Sequence, residues 1–206
     1  RASAAKAKGL EPLAEQVLAQ GDDDPGLLAQ QYLTDEVSSP EEALQGAQDI
    51  IAEYITDQPE VRQMVRKFTF DTGLISSSVN VDPENDDNAK EFQMYFDYVE
   101  EIRKIPPHRT LAINRGERLG VLKVKLILDD QEVVNKMLRQ VITNSSSPSA
   151  PIITAALEDG YKRLLAPSIE RDIRNTLTEA AEEHAIEIFA TNLRNLLMQA
   201  PVRGFT

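Results

Sequence analysis

The sequence predicts a mainly α fold: a helical scaffold with one small β-hairpin or sheet and a long C-terminal helix. Three observations carry this. Apolar residues recur at three- and four-residue spacing through most of the chain. One short region changes to a period of two. The run from Ser168 to Ala200 contains neither glycine nor proline.

Leu10, Leu13, Ala14, Val17 and Leu18 open the helical pattern after a small, basic start over residues 1–8. Gly21-Asp22-Asp23-Asp24-Pro25-Gly26 breaks it, and a short helix follows over Leu27 to Leu33. Ser39-Pro40-Glu41-Glu42 is a helix start: Ser39 can cap, Pro40 suits the first helical position and Glu42 can complete a capping box. Behind it Ala43, Leu44, Ala47, Ile50, Ile51, Tyr54 and Ile55 form one apolar stripe. The next helix covers Pro59 to Leu74, with Val61, Met64, Val65 and Phe68 inward. Ser76 to Asn88 is rich in Ser, Asn and Asp and reads as a loop. Phe92, Tyr95, Phe96 and Val99 return to helical spacing until Ile105-Pro106-Pro107 stops them.

Then the period changes. Thr110 to Ile113 and Val121 to Leu128 read as two strands joined by turn residues Asn114-Arg115-Gly116-Glu117, a β-hairpin. In the second strand Leu122, Val124, Leu126 and Leu128 share one face. Gln131 to Ile142 is helical, Thr143 to Pro151 is a Ser/Pro linker, and Ile152 to Leu165 is a helix ended by Pro167. Ile169, Ile173, Leu177, Ala181, Ile188, Leu193 and Leu196 mark the last helix. About 30 residues would span about 45 Å, longer than a small domain needs, so this helix reads as a brace.

Composition narrows the chemistry. With no cysteine, thiolate metal sites, disulfides and a cysteine nucleophile are excluded. The two histidines, His108 and His184, cannot make a His-rich metal site. A Ser-His-Asp triad would have to use one of them. The net charge of −12 should repel nucleic acid, so only a local basic surface could bind it. The chain opens on Arg1-Ala2-Ser3 with no apolar stretch behind, which reads as no signal peptide. No apolar run approaches a membrane span.

One stretch opposes the average sign: Arg103, Lys104, Arg109, Arg115, Arg118, Lys123 and Lys125, against Glu117 alone. It can be read as a phosphate-facing hairpin, with Arg109, Arg115, Arg118, Lys123 and Lys125 as the candidate nucleic-acid contacts. It can equally be a solvated face whose lysines discourage edge pairing, and the lack of interleaved aromatics to stack bases favours that. The acidic runs Asp22-Asp23-Asp24 and Glu182-Glu183 read as solvated, since acid–base work needs burial to separate two pKa values. His184 lacks a glutamate three positions earlier, where Ala181 stands, so the di-metal helix motif fails. His108 reads as an anchor where a strand begins. No phosphate-binding glycine loop or nucleophile elbow occurs. No catalytic, cofactor-binding or metal residue is expected.

Several stretches, in order, resemble the Tex family of bacterial transcription accessory proteins. They are Gly9-Leu10-Glu11-Pro12-Leu13-Ala14, then Glu42 to Glu53, then Ile105-Pro106-Pro107-His108-Arg109-Thr110-Leu111-Ala112-Ile113-Asn114-Arg115-Gly116-Glu117. The last are Tyr161 to Glu170 and Phe189-Ala190-x-Asn192-Leu193-Arg194-x-Leu196-Leu197. The acidic loop Asp82 to Asp87 departs from the pattern. The resemblance implies a segment of a cytoplasmic, multidomain nucleic-acid binder, similar in architecture to a eukaryotic elongation factor that chaperones histones. A resolvase-like (YqgF) domain would follow near Pro201 to Thr206, with helix-hairpin-helix and OB-fold RNA-binding domains further on. On that basis residues 1–104 are expected to form a helical N-terminal-type region, 105–130 a β-hairpin insertion, and 131–206 a helical region ending in the brace. The implied role is a scaffold, with RNA or DNA met mainly by other domains and with the transcription machinery as a further partner. No cofactor, membrane or small-molecule substrate is implied. The alternative is direct nucleic-acid binding through the basic hairpin. An enzyme is the least supported reading.

Overall fold

The computed structural model describes residues 1–84, 86 and 88–199. The chain divides into two compact units, residues 1–69 with 129–171 and residues 70–128 with 172–206, the division falling inside two helices.

The first unit is all helical: α1 (Ala2–Ala7), α2 (Glu11–Leu18), α3 (Pro25–Gln30), α4 (Pro40–Asp57), most of α5 (Pro59–Thr72), α7 (Asp130–Val141), α8 (Ala150–Gly160) and the first turns of α9 (Ala166–Leu197). α4 lies at its centre and packs on α1, α2, α3 and α8. Its expected stripe is the core, with Ala43, Ala47, Ile50, Ile51 and Ile55 buried, while Tyr54 is exposed. Leu13 and Val17 of α2 and Ile153 and Leu157 of α8 are buried too.

Ser39 caps α4 as expected, its Oγ accepting from the Glu42 N–H at 3.2 Å. Glu42 does not reach back to Ser39. Its carboxylate instead accepts from the N–H and hydroxyl of Ser38, both at 3.0 Å, and from Lys8 Nζ at 2.8 Å. The Lys8 ammonium, then the Ser38 groups, pull the Glu42 pKa down to about 2.

Thr143 to Pro151 is a pinned turn rather than a free linker. Gln20, in the left-handed region at φ 53, holds it from the end of α2. The Gln20 amide accepts from the N–H groups of Thr143 (2.9 Å) and Asn144 (3.0 Å) and donates to the Val141 carbonyl at 2.9 Å. Pro167 does not end the helix before it. A single π-helical turn, Tyr161–Leu165, joins α8 to α9. That wide turn contains Arg163, whose carbonyl proline cannot serve and would otherwise clash with, so the helix passes through the proline. Tyr161, buried in that turn, donates to Asp130 Oδ1 at 2.6 Å. Burial, reinforced by Asp130, raises its phenol above the ordinary range.

The second unit holds a three-stranded antiparallel sheet of order β2-β1-β3: β1 (Leu74–Val79), β2 (Asp97–Glu101) and β3 (Leu122–Ile127). α6 (Pro107–Arg118) and a 3-10 turn, Ala89–Tyr95, pack against it. Three expectations change here. Ser76 to Val79, read as loop, belong to the central strand, where Ser77 is buried and donates to the Tyr95 carbonyl at 2.7 Å. Phe92 and Tyr95 lie in the 3-10 turn, whose three-residue repeat imitates helical spacing, but Val99 lies in β2. The β-hairpin of 105–130 is not formed: Thr110 to Ile113 are helical, and β3 pairs with β1 instead.

The paired prolines explain the helix. Pro107 occupies the first helical position and Pro106 the extended position before it. Thr110, Ile113 and Gly116 are buried at three-residue spacing. Gly116 needs its missing side chain: a Cβ would lie 2.6 Å from Leu122 Cδ1, 2.8 Å from Leu122 Cγ and 3.0 Å from Phe92 Cδ1. Gly120, at φ +77, ends the helix, with Gly120 N–H bonded to Glu117 O and Val121 N–H to Gly116 O.

The long last helix is present as expected, 32 residues or about 48 Å. Ile169, Ile173 and Ala181 are buried, whereas Ile186, Phe189, Leu193 and Leu196 are exposed. Ala200 and the closing Pro201 to Thr206 lie outside the described residues, as do Asn85 and Asp87 of the acidic loop. Among the described residues no helix is long and apolar enough to cross a membrane.

Candidate nucleic-acid interface

The seven cations of the basic stretch all lie in the second unit, on the 3-10 turn Ile102–Lys104, α6 and β3. The fold separates them by what they touch. Arg103 and Lys104 share one acid, Glu101, at 3.1 and 2.6 Å. Lys104 and then Arg103 hold the Glu101 carboxyl below the usual carboxylate range. Arg109 bonds Glu100 at 3.0 Å and lies 5.5 Å over the Tyr98 ring, whose hydroxyl in turn donates to Glu100. Arg115 bonds Glu91 at 2.7 Å and lies 6.0 Å from the Phe92 ring centre. The interleaved aromatics that the linear sequence lacks are thus supplied in space, but they carry the protein's own arginines.

Glu117, the lone acid of the stretch, faces Arg174 of α9. One guanidinium nitrogen bonds Oε1 at 3.0 Å and the other bonds Oε2 and the Asn114 side-chain oxygen. Asn114 donates from Nδ2 to Thr178 Oγ1 at 2.8 Å. Asn114 and Glu117 sit three apart on α6, and Arg174 and Thr178 four apart on α9, so each pair shares a helix face. Sequence reasoning missed Arg174, Asn114 and Thr178. The only signal was helical spacing, visible once Thr110 to Arg118 is read as a helix.

Arg118, Lys123 and Lys125 form no ion pair among the described residues. All three are exposed. Lys123 and Lys125 point from β3 to the open face of the sheet. Lys125 stands opposite Ser76, itself opposite Val99; Lys123 stands opposite Ser78, itself opposite Asp97. The opposite face, with Ile75, Ser77, Leu122 and Val124, is buried. Of the five expected contacts, then, the structure leaves Arg118, Lys123 and Lys125 free and engages Arg109 and Arg115 internally.

The acidic candidates do structural or solvent-facing work. Asp24 caps α3, accepting from Gly26 N–H at 2.7 Å. Glu182, Glu183 and His184 are exposed on α9, and His108 is exposed in the first turn of α6. Among the described residues no three His, Cys, Asp or Glu side chains are grouped to hold a metal ion.

Residues 20–189 match the domain described as Tex central region-like. The chain belongs to the Tex family. It is 43% identical to the Bacillus subtilis protein YdcI, over 100% of this chain and 29% of that protein. It is 31% identical to the transcriptional accessory protein Tex of Neisseria gonorrhoeae, over 100% of this chain and 28% of that protein. The human S1 RNA-binding domain-containing protein 1 is 34% identical over 78% of this chain and 17% of its own length. This Tex segment therefore spans a little over a quarter of the length of the bacterial relatives it matches.

Proposed function

We propose that this Tex central segment is a scaffold in a nucleic-acid-binding transcription accessory protein, without catalytic chemistry of its own. RNA or DNA is bound mainly by domains outside it. One observation carries the reading: the charged residues of the stretch Ile105 to Glu117 are spent on internal pairs. Arg109 serves Glu100, Arg115 serves Glu91 and Glu117 serves Arg174. The exposed apolar residues of α9, Ile186, Phe189, Leu193 and Leu196, support it, because they suit a brace that meets further parts of a longer protein. Relatives named for transcription and for an S1 RNA-binding domain give the context. The reading carries with it a cytoplasmic location and contact with the transcription machinery.

The test compares this chain with the full-length protein in RNA and DNA binding at physiological salt. Weak binding by the chain and strong binding by the full protein is expected. Tight binding by the chain alone would refute the scaffold reading.

A second reading rests on the three free cations. If Arg118, Lys123 and Lys125 each contact a phosphate of duplex DNA, replacing all three with alanine lowers the salt slope by up to about 2.7, at about 0.9 per contact. An unchanged slope eliminates direct contact through this surface.

A further inference from the structure

We propose that the groove between α2 and α4 binds a basic amphipathic helix of a partner protein. The groove has a volume of about 520 Å³ and lies wholly within the first unit. Its floor is apolar: Ala14 and Leu18 from α2, Ile50 and Tyr54 from α4. Tyr54 belongs to the apolar stripe of α4 but is 56% exposed, so the stripe reaches past the core into the groove. Two helices flanking an apolar trough is the geometry into which an amphipathic helix lays its apolar face.

The rim decides what kind of helix. Glu11 and Glu15 stand one turn apart on α2, and Glu53 and Asp57 one turn apart on α4. Like charges at that spacing destabilise a helix, and here two such pairs border the same trough. Lys6 is the one cation lining the groove and bonds Glu53 at 3.4 Å, and Arg163 attracts Glu53 at longer range; Glu11, Glu15 and Asp57 are without an ion pair among the described residues. Four carboxylates against one ammonium repel a nucleic acid or an acidic peptide. They attract lysines and arginines placed on both sides of an apolar anchor row, which an amphipathic helix with a basic polar face provides.

The experiment uses the full-length protein and two fluorescent helical peptides of about 18 residues with identical leucine and phenylalanine anchors. One has lysine and arginine flanks, the other glutamate flanks. Each carries a photo-crosslinker beside an anchor. Expected are binding of the basic peptide at roughly 1–100 μM, weakening with salt, and crosslinks confined to α2 and α4. A Glu15→Gln, Asp57→Asn double variant should weaken binding about tenfold, and Leu18→Ser should weaken it as much. Glu15 and Asp57 are exposed and Leu18 is half-buried, and unchanged circular dichroism checks that the variants fold. Absence of binding would overturn the proposal, as it would if another part of the longer protein fills the groove. Equal affinity for the acidic peptide, indifference to the variants, or crosslinks elsewhere on this acidic protein would overturn it too.

Discussion

Gly116→Ala tests whether residues 107–118 form a helix pressed against β3. A glycine inside a helix costs about 1 kcal/mol relative to alanine. On an exposed helix the substitution would therefore stabilise. Here the new methyl would stand 2.6 Å from Leu122 Cδ1 and 2.8 Å from Leu122 Cγ. The second of these is a branch point, not a flexible tip, and Leu122 is fully buried. Overpacking of this kind costs about 1–3 kcal/mol. The net expectation is a loss of up to about 2 kcal/mol. Leu122→Ala alone should cost about 2–5 kcal/mol, and it also removes the two closest obstructing atoms. In that background Gly116→Ala should reverse sign and stabilise by about 0.5–1 kcal/mol. Urea unfolding of the four proteins, followed by circular dichroism with the m-value monitored, closes the cycle. An equal loss from Gly116→Ala in both backgrounds would refute the packing argument. So would stabilisation in the otherwise unchanged protein.

Three further outcomes are expected. Gln20→Ala strips four side-chain hydrogen bonds from the end of α7 and the turn after it and should cost about 2 kcal/mol, measured by urea unfolding; an effect within 0.5 kcal/mol, about that of an ordinary surface substitution, would show that the turn holds itself. Glu42 has its folded pKa lowered from an ordinary 4.5 to about 2, so its contribution is complete above about pH 4.5 and lost as pH falls through about 2. The stability gap between the unchanged protein and Glu42→Gln should narrow over that window, and a gap that widens on acidification would contradict the sign. Arg109→Ala should lower stability by about 1 kcal/mol while leaving the salt slope of nucleic-acid binding unaltered; a reduced slope would show that Arg109 leaves Glu100 for a phosphate.

The elements legible in the sequence are those whose burial is one-sided and local. α4, α5 and α7 each combine an amphipathic stripe with a recognisable start, and each appears within two residues of its expected bounds. β1 was illegible because its middle is Ser76-Ser77-Ser78, poor strand formers held by neighbours on both sides, as the register with β2 and β3 shows. α6 was misread because Thr110-Leu111-Ala112-Ile113 is too short a run to separate strand from helix by period. Gly120, between the expected turn and the expected strand, instead closes a helix with its positive φ. Pro167 broke the expected pattern because a π turn that absorbs a proline leaves no mark in residue spacing. The basic stretch was legible as charge but not as pairing, since Glu91, Glu100 and Arg174 come from other elements.

That pairing limits what the surface can do. Arg109 is held by a carboxylate and by an aromatic ring that shares it, so moving it breaks a connected set. Arg115 and Glu91 are both about half exposed, and such a pair is worth at most about 1 kcal/mol, so Arg115 can be recruited by a phosphate at little cost. The available set is therefore Arg118, Lys123 and Lys125, joined by Arg115 and by Arg103 and Lys104, which share Glu101 and are more than half exposed. Asp97 stands two strands from Lys123, about 9.5 Å away. This is close to one Debye length at physiological salt, so it offsets the lysines only partly. Six contacts at about 0.9 each would give a duplex salt slope of about 5.4, and the three free cations alone about 2.7. Three of these cations are without an ion pair among the described residues and the chain carries a net charge of −12, so on the scaffold reading the surface adds to binding nucleated elsewhere. On the scaffold reading, full-length protein should bind with a steeper salt dependence than this segment, and removing the free cations should trim that slope without abolishing it.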